Sequence, residues 1–188
     1  TNSLESKAIT VVHNLPATTL PTRSGQITQI NDDTICTINP DNDTLTSISL
    51  STNSVNYEVA VGVDPRSVSY NSLTDELWVT SYEEDKIYIV EPNTGQTKNT
   101  IDLAYGSEPY GVVFTPSKTL AYVSLQGSGR VLKVHVRNEA VVDSLDLGAG
   151  TQPRALAIAP NGRDLYVTRF VSPKEEGQVF LVHAHQFR

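Results

Sequence analysis

Short apolar segments of five or six residues alternate with polar turns along most of the chain. In the stretch 75-DELWVTSYEEDKIYIVEPNTGQ-96, two such segments flank the polar turn 83–85, and a second turn follows at 92–95. Apolar segments of this length between turn-forming residues are typical of antiparallel β-strands. No apolar spacing of three to four residues continues between the turns, so the pattern predicts no helix.

The same pattern recurs with a period of 44 residues. Two columns keep this register, namely the prolines Pro65, Pro109 and Pro153 and the aromatic residues Trp78, Tyr122 and Tyr166. Pro21 extends the proline column backwards by the same interval. In the unit that begins at Pro65, we predict strands at 67–71, 76–81, 86–91 and 98–103. The repeat predicts four-stranded antiparallel units at approximately 21–62, 65–106, 109–150 and 153–188.

The second and third strands of each unit are apolar on both faces. Leu77, Trp78 and Val79 follow one another without a polar residue between them, whereas a sheet with one face in water alternates. Four-stranded repeats of about 40–45 residues that are covered on both sides are typical of β-propeller blades. We therefore predict an all-β propeller with the aromatic column in its core, where truncation of Tyr122 or Tyr166 to alanine would cost about 3–5 kcal/mol.

The number of blades stays open between two arrangements. The chain supplies about four units, segment 8–14 has the pattern of an outer strand, and the last unit stops after its third strand at 179–183. The outer strand at 8–14 could complete the last sheet and close a four-bladed ring. We favour a portion of a larger propeller, because a four-bladed arc exposes two apolar faces that the remaining blades would cover.

Composition narrows the classes of function. A net charge of −7 without a basic patch argues against nucleic-acid binding. No apolar run approaches the roughly 18 residues that a membrane-spanning helix needs. Cys36 is the only cysteine, which excludes an internal disulfide and covalent haem attachment. The apolar surroundings of Cys36 favour a buried, unreactive thiol. We also predict that the protein binds no cofactor.

The loops that open each unit carry candidate ligand-binding residues. Arg66, Tyr110 and Arg154 each follow the repeat proline, and we expect these loops to reach one face around the central channel. The two arginines could converge on a small anionic ligand. The alternative is that each arginine pairs with a neighbouring carboxylate, such as Asp64 or Glu108.

The last unit departs furthest from the repeat, in 169-RFVSPKEEG-177. Thirteen residues separate Thr168 from Val182, whereas nine separate Thr80 from Val90. An enlarged loop on a regular scaffold is a frequent location for binding residues. Arg169 and Phe170 are therefore further candidates, although ordinary surface variation would explain the insertion equally well.

Candidates for metal binding and catalysis are sparse. His183 and His185 lie on one side of a predicted strand, as two metal ligands could, but no third ligand lies close to them in sequence. They are weak candidates, and we expect no metal site. No Gly-x-Ser-x-Gly motif occurs, so we predict no catalytic residue.

The repeat resembles that of the YVTN-repeat β-propellers of bacteria and archaea. The residues that carry the resemblance are 78-WVTSYEEDKIYIVEPNTG-95, 160-PNGRDLYVT-168 and 166-YVTRF-170, and it extends over about 21–188. Ser81, Leu125 and Arg169 stand where that family has asparagine, so we expect other groups to hold that turn. The resemblance implies an extracytoplasmic propeller that is usually seven-bladed.

The leading functional hypothesis is a non-enzymatic binding or scaffold propeller outside the cytoplasm, with loops that hold a protein, a glycan or a small ligand. Similarity to other propellers implies one alternative, the propeller portion of a lactonase-like hydrolase or of a haem-associated electron-transfer protein. A structural component of a cell-surface assembly is a third possibility.

Overall fold

The computed structural model describes Arg23 and residues 25–172, 176–184 and 187. These residues form fifteen strands in four antiparallel sheets, here named blades 1 to 4 in chain order. Blade 1 contains β1 (Ile27–Gln29), β2 (Thr34–Asn39), β3 (Thr44–Ser49) and β4 (Ser54–Ala60); blade 2 contains β5 (Pro65–Asn71), β6 (Glu76–Ser81), β7 (Lys86–Val90) and β8 (Thr97–Asp102); blade 3 contains β9 (Pro109–Phe114), β10 (Leu120–Leu125), β11 (Arg130–His135) and β12 (Ala140–Asp146); blade 4 contains β13 (Pro153–Ile158), β14 (Asp164–Arg169) and β15 (Val179–His183).

Each blade is a meander in which every strand pairs with the next strand along the chain. The predicted all-β architecture of four-stranded antiparallel units is therefore confirmed. Blade 4 has three strands within the described part of the chain, and the outer strand predicted at 8–14 lies outside it. Among the described residues, no helix is long and apolar enough to span a bilayer.

The blades stack through their first strands. Strand β9 contacts both β5 and β13, and β5 contacts β1 and β2. Successive blades therefore meet along the edge that a propeller turns towards its centre. Three apolar clusters fill the spaces between the four blades, which explains why the strands of blade 2 are apolar on both faces.

Trp78 shows how a strand uses both faces. Its indole packs between blades 2 and 3 and meets Phe114 edge to face, with ring centroids 5.3 Å apart. The neighbouring side chains Leu77 and Val79 point the other way, into the cluster between blades 1 and 2. Cys36 lies in that same cluster, fully buried, and its burial raises the pKa of the thiol.

The aromatic column is not buried throughout. Trp78 and Tyr122 are almost completely buried, but Tyr166 is 44% exposed. The prediction that Tyr166 belongs to the core is therefore wrong. Trp78 and Tyr122 lie in the clusters between successive blades, whereas Tyr166 lies on the face of blade 4 that points away from blade 3.

Candidate functional site

A β-bulge opens the first strand of blades 2, 3 and 4. The pairing of β5 with β6 passes from Pro65 to Ser67 and leaves Arg66 as the extra residue. The same shift in register occurs in β9 around Tyr110 and in β13 around Arg154. Bulges bend a strand and redirect a side chain. The repeat therefore turns the equivalent side chains of three successive blades, Arg66, Tyr110 and Arg154, towards one another.

These side chains form a stack of alternating cations and aromatic rings, here called the cation–aromatic ladder: Tyr82, Arg66, Tyr110, Arg154 and Phe170. The guanidinium carbon of Arg66 lies 4.9 Å from the Tyr82 ring centroid and 5.8 Å from that of Tyr110. The guanidinium carbon of Arg154 lies 4.7 Å from the Tyr110 centroid and 3.1 Å from the Phe170 centroid. These distances are within the range of cation–π attraction.

The ladder unites four of the five residues that the sequence proposes as ligand-binding. Tyr82, its remaining member, was not a candidate. Tyr82 and Phe170 belong to one column with a 44-residue spacing, and Gln126 stands between them in that column. The repeat register therefore contained the signal for this second set of residues.

The carboxylates near the ladder distinguish Arg66 from Arg154. Arg66 forms an ion pair with the largely buried Asp64, as the alternative interpretation proposed. Asp64 also lies 3.4 Å from Arg23, and Arg23 is in turn paired with Asp41 at 2.7 Å. Arg154 forms no ion pair with any carboxylate among the described residues.

Arg154 is held instead by a hydrogen-bonded chain that begins at the neutral Gln126 amide and ends at the Glu108 carboxylate. Its Nε donates to Gln126 Oε1 at 2.6 Å, the Gln126 amide donates to the Tyr82 hydroxyl at 3.0 Å, and that hydroxyl donates to Glu108 Oε2 at 2.6 Å. Burial and the adjacent Glu108 carboxylate raise the pKa of Tyr82 to about 12, against the opposing effect of Arg66 and Arg154. Tyr82 therefore stays a hydrogen-bond donor at neutral pH.

Hydroxyl groups of the preceding blade fix the bulge backbone. Thr80 donates to the carbonyl oxygen of Tyr110 at 2.8 Å, and Ser124 donates to that of Arg154 at 2.5 Å. Gly111 N also donates to the Ser124 hydroxyl at 2.8 Å. Each hydroxyl thus anchors the ladder residue of the next blade, so adjacent blades set the spacing of the ladder.

A cavity of about 540 Å³ opens beside the ladder and is lined by the first strands or neighbouring loops of all four blades. Arg23, Arg66 and Tyr110 contribute to its wall. The Nε atom of Arg66 is buried and has no hydrogen-bond partner. Arg66 and Tyr110 belong to both the cavity wall and the ladder, so a ligand in the cavity would meet the ladder at these two residues.

Arg169, from the enlarged loop, lies apart from the ladder contacts. Its Nη1 donates to Gln178 Oε1 at 2.8 Å, and its backbone amide donates to the carbonyl of the same residue at 3.1 Å. Its buried Nε has no partner. Arg169 therefore supports the base of the loop, whose residues 173–175 lie outside the described part of the chain.

Ser81, which replaces the family asparagine in blade 2, donates to the Val63 carbonyl at 3.0 Å.

The histidine candidates do not assemble a site in the described residues. His183 Nδ1 lies 3.1 Å from Asp164 Oδ1, directly across the β14–β15 pairing. His185 is outside the described part. Within the ranges that the structure describes, no group of three or more His, Cys, Asp and Glu side chains is placed to hold a metal ion.

Solved structures with similar folds are β-propellers, which confirms the predicted propeller. Kuenenia stuttgartiensis hydrazine synthase matches with a TM-score of 0.75 and 23% identity, over 83% of this chain and 44% of that one. Staphylococcus aureus virginiamycin B lyase matches with a TM-score of 0.68 and 13% identity, over 84% and 55% of the two chains. A putative 6-phosphogluconolactonase from Bacteroides uniformis matches with a TM-score of 0.63 and 15% identity, over 81% and 54%.

The protein spans about half the length of these three chains, and at such low identity the likeness concerns the fold alone. No curated protein matches the sequence. A family model described as "Repeat of unknown function (DUF6923)" matches residues 7–146. Since this match covers most of the chain, the protein belongs to the DUF6923 repeat family.

Proposed function

We propose that this protein is a non-enzymatic binding propeller of the YVTN type that holds a small anionic ligand or an acidic glycan at the cation–aromatic ladder. The observation that carries the proposal is the environment of Arg154. Its guanidinium group lies between the rings of Tyr110 and Phe170 and hydrogen-bonds the neutral Gln126 amide. It has no carboxylate partner among the described residues, so its charge is available to a ligand.

The geometry suits a carboxylate or a phosphate. Gln126 occupies the Nε donor of Arg154, which leaves the terminal nitrogens for the paired contacts that arginine makes with planar or tetrahedral anions. The two rings already fix the orientation of the guanidinium plane. Arg154 therefore loses less side-chain entropy on binding than a freely exposed arginine would. The Tyr110 and Phe170 rings also supply apolar contact for the body of a sugar or another small molecule.

The charge balance predicts short-range recognition and little long-range attraction. Asp41 and Asp64 neutralise Arg23 and Arg66, and the whole chain carries a net charge of −7. An anion therefore gains its free energy from direct contacts with Arg154. Binding should weaken only modestly as salt rises, because screening acts mainly on charges separated by more than about 10 Å.

Isothermal titration calorimetry tests the proposal with glucose 6-phosphate, citrate and glucuronate as probes. Arg154→Gln should weaken binding of the preferred probe by at least about tenfold, since a charged hydrogen-bonded contact contributes roughly 1.5–3 kcal/mol. Arg130→Gln is the matched control, because Arg130 lies on the third strand of blade 3, makes none of the ladder contacts and is already paired with Asp146. Absence of binding for all three probes, or equal losses in both variants, would contradict the proposal.

The enzymatic alternative rests on the names of two structural neighbours, a lyase and a putative 6-phosphogluconolactonase. A hydrolysis assay with 6-phosphogluconolactone separates the two hypotheses. Turnover that Arg154→Gln abolishes would replace the binding proposal with an enzymatic one, whereas binding without turnover supports it.

We further propose a location outside the cytoplasm, on the basis of the resemblance to YVTN propellers. Fractionation of the source cells, followed by immunodetection of the protein, tests this. Recovery in the cytoplasmic fraction alone would contradict it without bearing on the ladder.

A further inference from the structure

We infer that a cavity between blades 2 and 3 is a second ligand-binding site, which takes the uncharged aromatic ring of a small phenol. The cavity has a volume of about 310 Å³, and no residue of the ladder lines it. Ligand pockets have volumes of roughly 300–1,000 Å³, so a cavity at the lower end of this range suits a single ring. The inference is independent of the anion proposed above.

The cavity lies where one repeat position changes its residue type. Tyr88, Leu132 and Phe180 hold this position on the third strands of blades 2, 3 and 4, each opposite a valine of the second strand. The rings of Tyr88 and Phe180 pack against the cluster between their own blade and the preceding one. Leu132 has no ring, and it lines the cavity. Blade 3 therefore has a smaller side chain at a position that is aromatic in both neighbouring blades.

Two glycines show that the cavity corresponds to the space of a tyrosine ring. Gly62 and Gly106 stand two residues before Asp64 and Glu108, in the loops that enter blades 2 and 3. A Cβ atom at Gly62 would lie 2.5 Å from Cε2 of Tyr88, whereas a Cβ atom at Gly106 would have nothing within 4 Å. The space that the Tyr88 ring fills beside blade 1 is therefore open beside blade 2.

The tyrosine of blade 2 also indicates where the hydroxyl of a ligand would bind. The hydroxyl of Tyr88 donates to Glu84 Oε2 at 2.7 Å. Ser128 holds the position of Glu84 in blade 3, 44 residues further along the chain, and lines the cavity. A serine hydroxyl both donates and accepts hydrogen bonds, so Ser128 can bond the hydroxyl of a phenol.

The charged groups at the cavity are already paired, so the site suits an uncharged ligand. Arg130 donates to Ser144 at 2.8 Å and to Asp146 at 3.2 Å. Asp102 lies 3.3 Å from Lys86. A carboxylate on the ligand would lose its hydration without gaining a free cation. Three apolar side chains complete this part of the wall, namely Leu125, Leu132 and Val141.

The test uses p-cresol, which reproduces the side chain of tyrosine, as the probe. NMR follows a titration of the full chain in which the leucine and valine methyl groups are isotopically labelled. The methyl resonances of Leu125, Leu132 and Val141 should shift together and reach saturation. Leu181, which is exposed on blade 4, reports non-specific binding and should shift little. No shift at Leu132, or equal shifts at Leu132 and Leu181, would overturn the inference.

A variant with a filled cavity gives a second test. Leu132→Tyr supplies the ring that blade 2 has, and it should weaken p-cresol binding by at least about tenfold, because the new side chain occupies the site. Leu73→Tyr is the matched control, since it makes the same substitution at an exposed position in the turn between β5 and β6; it should leave the affinity unchanged. Unchanged affinity in Leu132→Tyr would overturn the inference, and if this variant does not fold, the methyl shifts of the unsubstituted chain decide.

A charged analogue tests the class of ligand. p-Toluate has the same ring with a carboxylate in place of the hydroxyl, and it should bind the unsubstituted chain at least about tenfold more weakly than p-cresol. Equally tight or tighter binding of p-toluate at Leu132 would overturn the assignment of an uncharged ligand.

Discussion

Tyr122 and Tyr166 occupy the same place in two successive blades, yet one is buried and the other is 44% exposed. Both lie on the second strand, and both pair across the sheet with the third strand, at Lys133 and Leu181 respectively. Tyr122 packs against Leu165 of the following blade. The local sequence therefore fixes where the ring points, but the presence of a neighbouring blade determines whether that position stabilises the fold.

The difference also separates two kinds of repeated residue. A position such as that of Tyr122 repeats because every interface between blades needs a large apolar group. A position such as that of Arg66 or Arg154 repeats because the first strands of blades 2, 3 and 4 begin with the same bulge. Repetition by itself does not distinguish the two kinds, whereas burial and hydrogen bonding do.

The largest difference in stability should be between alanine variants of these two tyrosines. Tyr122→Ala should lower the free energy of unfolding by about 3–5 kcal/mol, as expected for a buried aromatic side chain. Tyr166→Ala should cost roughly 1 kcal/mol or less, since half of the ring is already in water. Urea unfolding followed by circular dichroism measures both. Equal losses would show that blade 4 is covered in solution.

A smaller loss of stability should follow from adding a methyl group at Gly111, where blades 3 and 4 approach each other closely. In Gly111→Ala the new Cβ would lie 2.4 Å from the Arg154 carbonyl oxygen and 3.1 Å from Ser124 Oγ, so we expect a cost of about 1–3 kcal/mol. The corresponding position in blade 4 is Ala155, and Ala155→Gly should cost only about 0.5–1 kcal/mol. Thermal unfolding compares the two. A neutral Gly111→Ala would mean that the blades separate easily.

Removing a hydroxyl group that donates a hydrogen bond to the next blade should lower the free energy of unfolding by about 1–2 kcal/mol. Thr80→Val leaves the Tyr110 carbonyl without its donor in a buried setting, which carries a desolvation cost. Thr168→Val, at the exposed equivalent, should change stability by less than about 0.5 kcal/mol. Chemical denaturation of both variants gives the comparison. If Thr168→Val is the more costly substitution, its hydroxyl already contacts another blade.

The smallest effect concerns the pH dependence of stability. The pKa of Tyr82 is raised to about 12, above the usual value of about 10 in an unfolded chain. The folded protein therefore holds this proton more tightly, and the resulting stability is present below pH 10 and is lost as the pH rises towards 12. Tyr82→Phe should show a smaller loss of stability across this interval, measured by urea unfolding at several pH values. Burial and the hydrogen bond to Glu84 likewise raise the pKa of Tyr88 to about 12. Tyr88→Phe is therefore the matched variant. An unchanged pH profile in both variants would contradict the assigned cause.

Most of the fold could be predicted from the sequence. The spacing of Pro65, Pro109 and Pro153 gave the register of the blades, and the turns between apolar segments gave the strands to within one or two residues. This succeeded because a strand's boundaries depend on local turn chemistry and on the apolar character of the strand itself. The prediction for Tyr166 failed because its burial depends on a neighbour that no local pattern specifies.

The candidate site could be predicted only in part. The repeat register placed Arg66, Tyr110 and Arg154 at equivalent positions, and the insertion drew attention to Phe170. The contribution of Tyr82 and of Gln126 was missed, although both lie in the same 44-residue register as Phe170. The sequence places Asp64 two residues before Arg66 but the neutral Gln152 two residues before Arg154, whereas the bond from Arg154 to Gln126 joins two blades and could not be read from a local pattern.

By itself, the sequence determined the period, the strands, the alternating faces and the positions at which each repeat places an arginine or an aromatic ring. These features depend on interactions within a few residues of one another. The tertiary structure alone decided that Gln126 of blade 3 holds Arg154 of blade 4, and that Tyr166 faces solvent. The physical reason is that these contacts join different blades, and their energies depend on distances between blades that a local pattern does not specify.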